Sequence, residues 1–212
     1  MYLLDVNVLL ALAYDEHTLH NRAAQWLKQV QSSCSTMRSL VTCSIVELGF
    51  IRVAPEKKGL APNLAAARAD LHRIRSTLGF ELVEDSLDGS RLPNWVTRAN
   101  QTTDGHLLQL ANHHGVRFAT LDAGIPGAEL VPHEGDFPTE VREPAHAGYF
   151  DMPIDEHPDK LIYDPAEPSP FPGYPYPRWA IDPVTGFPYV RARPGVPKIT
   201  TEDVKRELED FP

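Results

Sequence analysis

Met1-Tyr-Leu-Leu-Asp5-Val-Asn7-Val-Leu-Leu10 opens the chain with an apolar run that holds one carboxylate and, two residues later, one carboxamide. The run is short and contains Val6 and Val8, so it reads as a buried central strand rather than a helix. An unpartnered carboxylate there costs several kcal/mol, roughly, or takes up a proton. The carboxyl end of a parallel strand relieves Asp5 of that cost. There it faces the crevice in which open α/β sheets place their ligands.

Outward from this strand, helical and strand patterns alternate. Leu19, Ala23, Trp26, Leu27 and Val30 recur at helical spacing, opened by Asp15-Glu16-His17. His17 and His20 could suggest a metal pair; the plainer reading makes them polar residues on the first turn of a surface helix. Residues 40–43 read as a strand, followed by a helix from Ser44 to about Ala54, stopped by Pro55. Ser44-x-x-Glu47 has the form of a capping box, which gives Glu47 a structural use. An amphipathic helix runs from Asn63 to Leu78 and closes at Gly79; its basic side (Arg68, His72, Arg73, Arg75) is a solvated face or an RNA contact. Residues 80–83 read as a strand, 95–99 as a short helix, 105–114 as a helix begun by Thr103-Asp104, and 116–121 as a buried strand ending in Asp122. Leu130-Val131 reads as a last short strand. This alternation predicts an α/β fold with a parallel, doubly wound sheet.

Composition divides the chain. Residues 1–131 carry 4 of the 20 prolines, 12 Lys+Arg and 13 Asp+Glu, whereas residues 132–212 carry 16 prolines, 8 Lys+Arg and 16 Asp+Glu. The overall charge of −9 therefore belongs to the C-terminal part. With the four acids assigned below set aside, the first part holds 9 acids against 12 bases, compatible with a polyanionic substrate. Cys34 and Cys43 form no metal or disulfide pattern and read as reduced thiols. No secretory leader pattern and no run of 18 apolar residues is present, so a soluble, cytoplasmic protein without a membrane segment is expected.

Four acids fall at element ends: Asp5, Glu47, Asp104 and Asp122. Parallel strands place their carboxyl ends and the following helix N-termini on one edge, so all four can converge. Carboxylates so close repel one another unless a cation neutralises them, and hard divalent ions with oxygen ligands, Mg²⁺ or Mn²⁺, suit the cluster. Such ions activate water for in-line phosphodiester displacement. Leu4-Asp5-Val-Asn7-Val-Leu, Cys43-Ser-Ile-Val-Glu47-Leu-Gly-Phe-Ile-Arg52-Val, Thr103-Asp104-Gly-His-Leu-Leu-Gln-Leu-Ala and Phe118-Ala-Thr120-Leu-Asp122 resemble, in order, the four motifs of PIN-domain ribonucleases. More narrowly they resemble the VapC toxins of type II toxin–antitoxin modules. His17-x-x-His20 and Gly-Phe-Ile-Arg52 are similar to one VapC subgroup. The resemblance covers residues 1 to about 131 and implies a PIN-like three-layer α/β/α fold. By the same resemblance, Asp5, Glu47, Asp104 and Asp122 hold Mg²⁺, while Asn7 and Thr120 orient carboxylates or water. It further implies an endoribonuclease that cuts single-stranded regions of structured RNA, commonly as a homodimer, with a VapB antitoxin as partner. Arg52, Arg68, Arg75 and Arg98 are candidate phosphate contacts. The alternatives are a PIN-type nuclease of RNA processing outside a toxin module, or a non-catalytic metal-binding interaction protein.

Residues 132–180 read as a Pro-rich acidic linker, with Pro168-Ser-Pro-Phe-Pro-Gly-Tyr-Pro-Tyr-Pro177 unable to form helix. In residues 181–212, Asp182-Pro-Val-Thr-Gly186 forms a turn between short extended pieces, and Thr200-Thr-Glu-Asp203 caps a helix over 202–210. This closing stretch resembles the C-terminal part of some small antitoxins. It is either an inert extension or a tethered, inhibitory tail, docked through aromatics such as Tyr174, Tyr176, Trp179 and Phe187, with Arg191 or Arg193 reaching the carboxylates.

Overall fold

Tyr2–Leu4 forms β1, and the chain leaves it at Asp5 (φ −71°, ψ 154°) to enter helix α1, Val6–Ala13. The strand expected across the first ten residues therefore spans three of them. In the computed structural model, which describes residues 1–33, 40–56, 60–133, 179–182, 185–191 and 197–208, every residue of α1 is buried. A helix apolar on all sides shows no helical periodicity, so its sequence is indistinguishable from a buried strand. Tertiary burial here overrides the β-propensity of Val6 and Val8.

The remaining elements are α2 (His20–Ser33), β2 (Leu40–Thr42), α3 (Ser44–Glu56), α4 (Leu64–Leu78) and β3 (Glu81–Leu82). A 3₁₀ turn at Ala99–Gln101 leads into α5 (Thr102–His113), followed by β4 (Arg117–Thr120) and β5 (Glu129–Leu130). Two local expectations change. α3 runs through Pro55 to Glu56, so the proline lies inside its last turn and forgoes the bond its N–H would have given to Ile51 O. Residues 95–98 are turn and irregular, the 3₁₀ turn following them. α4 is capped as its sequence suggests: Asn63 Oδ1 accepts from Ala66 N at 2.9 Å, and Gly79 (φ 66°) takes the left-handed position that ends the helix.

The five strands form one parallel sheet in the order β3-β2-β1-β4-β5. Helices α1–α4 pack on one another and α5 packs against β1 and β4; with the right-handed crossovers general to parallel strands, this strand order puts α1–α4 on one face and α5 on the other. Strand order thus reverses between β1 and β4. The carboxyl edge of that pair is where an open α/β sheet forms its crevice.

Beyond the sheet, β6 (Trp179–Ile181) and β7 (Pro188–Val190) form an antiparallel hairpin, and α6 spans Thr201–Leu208. The hairpin turn is closed by Gly186 N–H to Asp182 O (2.8 Å) and Thr185 N–H to Asp182 Oδ1 (2.9 Å). Thr200 caps α6: Asp203 N–H donates to Thr200 Oγ1 at 3.2 Å, and Thr200 N–H to Asp203 Oδ2 at 3.0 Å. Phe187, Val190, Ile199 and Val204 are buried in the same core as the sheet. Each contributes about 1.5–3 kcal/mol before the cost of ordering its chain. Among the described residues no helix is long and apolar enough to cross a membrane. Cys34, Tyr174, Tyr176, Arg193 and the Pro168–Pro177 run lie outside the described residues.

Candidate active site

Asp5 stands at the end of β1, Thr120 and Asp122 at the end of β4, and Asp104 in the first turn of α5, all on the edge where strand order reverses. Asp5 and Thr120 are buried. Thr120 Oγ1 donates to Asp5 Oδ2 at 2.8 Å and accepts Asp122 N–H at 3.0 Å, so one hydroxyl ties the two strand ends together. Asp122 Oδ1 accepts Gly124 N–H at 2.8 Å, which fixes its carboxylate over the turn after β4.

The electrostatics follow from crowding. Burial pushes the Asp5 carboxyl up, the Thr120 hydroxyl and the N–H groups of Asn7 and Val6 pull it back, and Asp122 adds to the rise. Asp104 is pushed up to about 7, first by burial, then by Asp5 and Asp122, with Lys205 opposing. Three carboxylates therefore act on one another across a small, poorly solvated space. Among the described residues no three His, Cys, Asp or Glu side chains already close on a single point as ligands. The donor set is nonetheless carboxylate oxygen and hydroxyl without thiol or imidazole, which fits a hard divalent cation. The charge deficit of the cluster is met here by a cation of the chain itself: Lys205 Nζ pairs with Asp122 Oδ2.

Glu47 is placed differently. It lies in the first turn of α3, but its Oε1 accepts from Thr42 Oγ1 at 2.8 Å and pairs with Arg75 at 3.2 Å. The helix begins at Ser44, with Glu47 N–H bonded to Cys43 O, so Ser44 is already inside the helix and not at the cap of the expected box. Glu47 instead borders an open pocket with Ile51, Arg68, Leu71, His72 and Arg75. Two of the four candidate phosphate contacts thus share that pocket; Arg52 lies half-buried on α3, and Arg98 is exposed just before α5. Cys43 is a buried free thiol, pushed up by burial.

The histidines and the tail hold the residues that sequence reasoning placed wrongly or missed. His17 and His20 are buried, not surface polar residues of a first turn. His17 Nε2 lies 2.9 Å from Asn7 Oδ1, and His20 Nδ1 lies 2.7 Å from Ala11 O. Asn7 is buried on α1, where His17 fixes its carboxamide two residues beyond Asp5. In the tail, Arg191 is exposed after β7, and the cation that meets the acids is Lys205. The Thr200-x-x-Asp203 cap announces α6 in the sequence, but nothing there says where that helix lands.

The profile of the PIN domain matches residues 2–128 of the chain, a span that contains all four acids and strands β1–β4 of the sheet. The chain belongs to the PIN-domain family. Ribonuclease VapC38 of Mycobacterium tuberculosis is 39% identical over 129 residues, 59% of this chain and 87% of the relative. VapC44 and VapC29 of the same organism are 36% identical over 141 residues and 32% over 124, covering 92% and 86% of their lengths. Within the PIN-domain family the chain therefore falls among the VapC ribonucleases, metal-dependent enzymes acting on phosphodiester bonds. The match uses nearly all of each relative but only 58–59% of this chain, and β6, β7 and α6 lie beyond the family span.

Proposed function

We propose that the protein is a Mg²⁺-dependent endoribonuclease, the toxin of a VapBC-type module, which cuts single-stranded regions of structured RNA. The observation that carries the reading is the meeting of Asp5, Asp104 and Asp122 at the β1/β4 edge, where the Thr120 hydroxyl ties Asp5 to Asp122. Asp5, Asp104 and Asp122 would hold the divalent ion, with Glu47 joining once it leaves Arg75; Mn²⁺ satisfies the same oxygen donors. Bound there, the ion supplies Lewis acidity and a more acidic water.

The chain's own residues do the rest. Thr120 holds Asp5 in one orientation and Asn7, fixed by His17, lies beside it. Asp104, crowded by Asp5 and Asp122, is the carboxyl that a bound cation would relieve of its proton. Arg68 and Arg75 line the pocket next to Glu47, with His72 between them, and place positive charge where the phosphates flanking a splayed-out base would lie. Arg52 and Arg98 extend that track on α3 and before α5. A VapB-type antitoxin, or the chain's own tail, is the partner of this edge. A cytoplasmic homodimer is part of the same proposal, supported by exposed Leu48 and Leu64 on the adjacent helices α3 and α4, and tested by sedimentation.

The test is Mg²⁺-dependent cleavage of a pool of structured and single-stranded RNA by the full chain and by its Lys205→Met, Asp5→Asn and Asp104→Asn variants. Cleavage by the first two, lost at least 100-fold in either Asp→Asn chain with circular dichroism unchanged, is expected. Cleavage that survives both Asp→Asn substitutions would sink the assignment. Folded, ion-binding chains that never cleave would favour a non-catalytic binding protein. Growth arrest on expression, relieved by a co-expressed antitoxin, separates a toxin from an RNA-processing nuclease.

A further inference from the structure

We propose that the tail elements β6, β7 and α6 are the chain's own occupant of the acid edge, and that Lys205 and a divalent ion exclude each other there. The proposal rests on reading Asp5, Asp104 and Asp122 as the ion site. The docking is built from several independent contacts. Asp15 N–H donates to Val190 O at 3.3 Å, Thr18 N–H to Ile199 O at 2.9 Å, and Ile199 N–H to Glu16 O at 2.9 Å. Together they clamp the tail along residues 14–18, the segment that follows α1 and Asp5. Trp179 lies under the Arg73 guanidinium at 5.1 Å, and Asp182 faces His20 at 3.8 Å. α6 then packs on α3 with Val204 fully buried. Leu208 approaches Gly49 so closely that a side-chain carbon there would lie 3.5 Å from its Cδ2.

This packing fixes the phase of α6, and the phase decides which cation reaches the acids. Arg206 turns back to Asp203 at 3.9 Å, and Lys205 goes to Asp122. Its charge also acts on Asp104. The C-terminal part is strongly acidic overall, so its delivery of a lysine to a carboxylate cluster is a local arrangement that net charge would not produce. An ammonium on Asp122 removes one ligand oxygen and places a positive charge where a dication would bind. Docking therefore weakens ion binding, and by reciprocity the ion weakens docking by the same factor. A separate antitoxin directed at this edge would first have to displace α6.

The experiment titrates Mn²⁺ into the full chain and its Lys205→Met variant, reading free Mn²⁺ by electron paramagnetic resonance, with Asp5→Asn/Asp104→Asn as the control for site binding. Lys205→Met is expected to bind Mn²⁺ at least tenfold more tightly than the unmodified chain, and the control to lose binding. Hydrogen exchange on the unmodified chain gives a second measurement that needs no variant: amides of 199–208 should exchange faster when Mn²⁺ is added. Equal Mn²⁺ affinity in both chains, or exchange in α6 indifferent to Mn²⁺, overturns the exclusion while leaving the ion site standing. Absence of Mn²⁺ binding in every chain removes the ion site itself, and the exclusion with it.

Discussion

Acid should loosen this protein through His17, and the size of the effect follows from its surroundings. The imidazole is 1% exposed. Leu19 N–H donates to Nδ1 at 3.2 Å, so the ring proton sits on Nε2 and is donated to Asn7 Oδ1, 2.9 Å away. Burial, then the neighbouring His20, lowers the group from 6.5 to about 4, against an opposing pull from Asp203. The folded state therefore prefers the neutral ring, and as pH falls the unfolded chain takes up the proton first. Stability from neutral His17 is complete above about pH 6.5 and is lost as pH falls toward 4. The full shift is worth about 3 kcal/mol, of which roughly 2–3 kcal/mol is gone by pH 4.5. His17→Gln keeps a donor and an acceptor but does not titrate. Urea unfolding of both chains, followed by Trp26 and Trp179 fluorescence between pH 8 and 4.5, isolates the term, because all other groups titrate in both. The unmodified chain should lose about 2–3 kcal/mol more than His17→Gln over that range. Parallel stability curves for the two would refute the reasoning.

Thr120→Val removes the donor to Asp5 and the acceptor of Asp122 N–H in a fully buried position; it should cost about 1–3 kcal/mol in urea unfolding and about 10–100-fold in RNA cleavage. Unaltered cleavage would mean that Asp5 needs no such orientation. Gly49→Ala would place a carbon 2.7 Å from Val6 Cγ2 inside a buried helix pair, so a loss of about 1–3 kcal/mol by calorimetry is expected, and an unchanged melting temperature would contradict the close α1–α3 packing. Arg68→Ala and Arg75→Ala should each weaken RNA binding and flatten the slope of log affinity against log salt by about 1. A slope unchanged in both would take the pocket beside Glu47 out of the RNA path.

Asp5 and Asp122 were legible in the sequence because a carboxylate that ends an apolar strand has few structural uses, and the parallel sheet does place both on one edge. Asp104 was legible as a helix start, and α5 carries it to the same edge. Helix α1 was not legible, since Val6 to Ala13 is buried on every side and has no polar face to mark a period. The burial of His17 and His20 was hidden for a related reason. Their covering comes from Asn7, Ala11 and the tail, and no local pattern encodes a contact made by residues 182 or 199. Glu47 shows the limit of a motif: its place in the first turn of α3 follows from sequence, whereas its pairing with Arg75 depends on how α3 and α4 pack.

The same distinction separates Lys205 from Arg191. Counting cations in the tail gives several candidates for the acid edge, and only the burial of Val204 and the cap at Thr200 select among them. Once docking is intramolecular, its strength no longer depends on protein concentration, because tethering supplies an effective concentration on the order of millimolar. Dilution, which would strip a separate inhibitor from its target, leaves α6 in place. Release must then come from something that acts on the contacts themselves. A divalent ion would compete with Lys205 for Asp122, protonation of His17 would act on the segment that clamps Ile199, and chain cleavage between residues 133 and 179 would convert the tether into a bimolecular partner. Of these, cleavage alone would make the proposed exclusion concentration-dependent. A nicked chain should therefore recover ion affinity on dilution, whereas the intact chain should not.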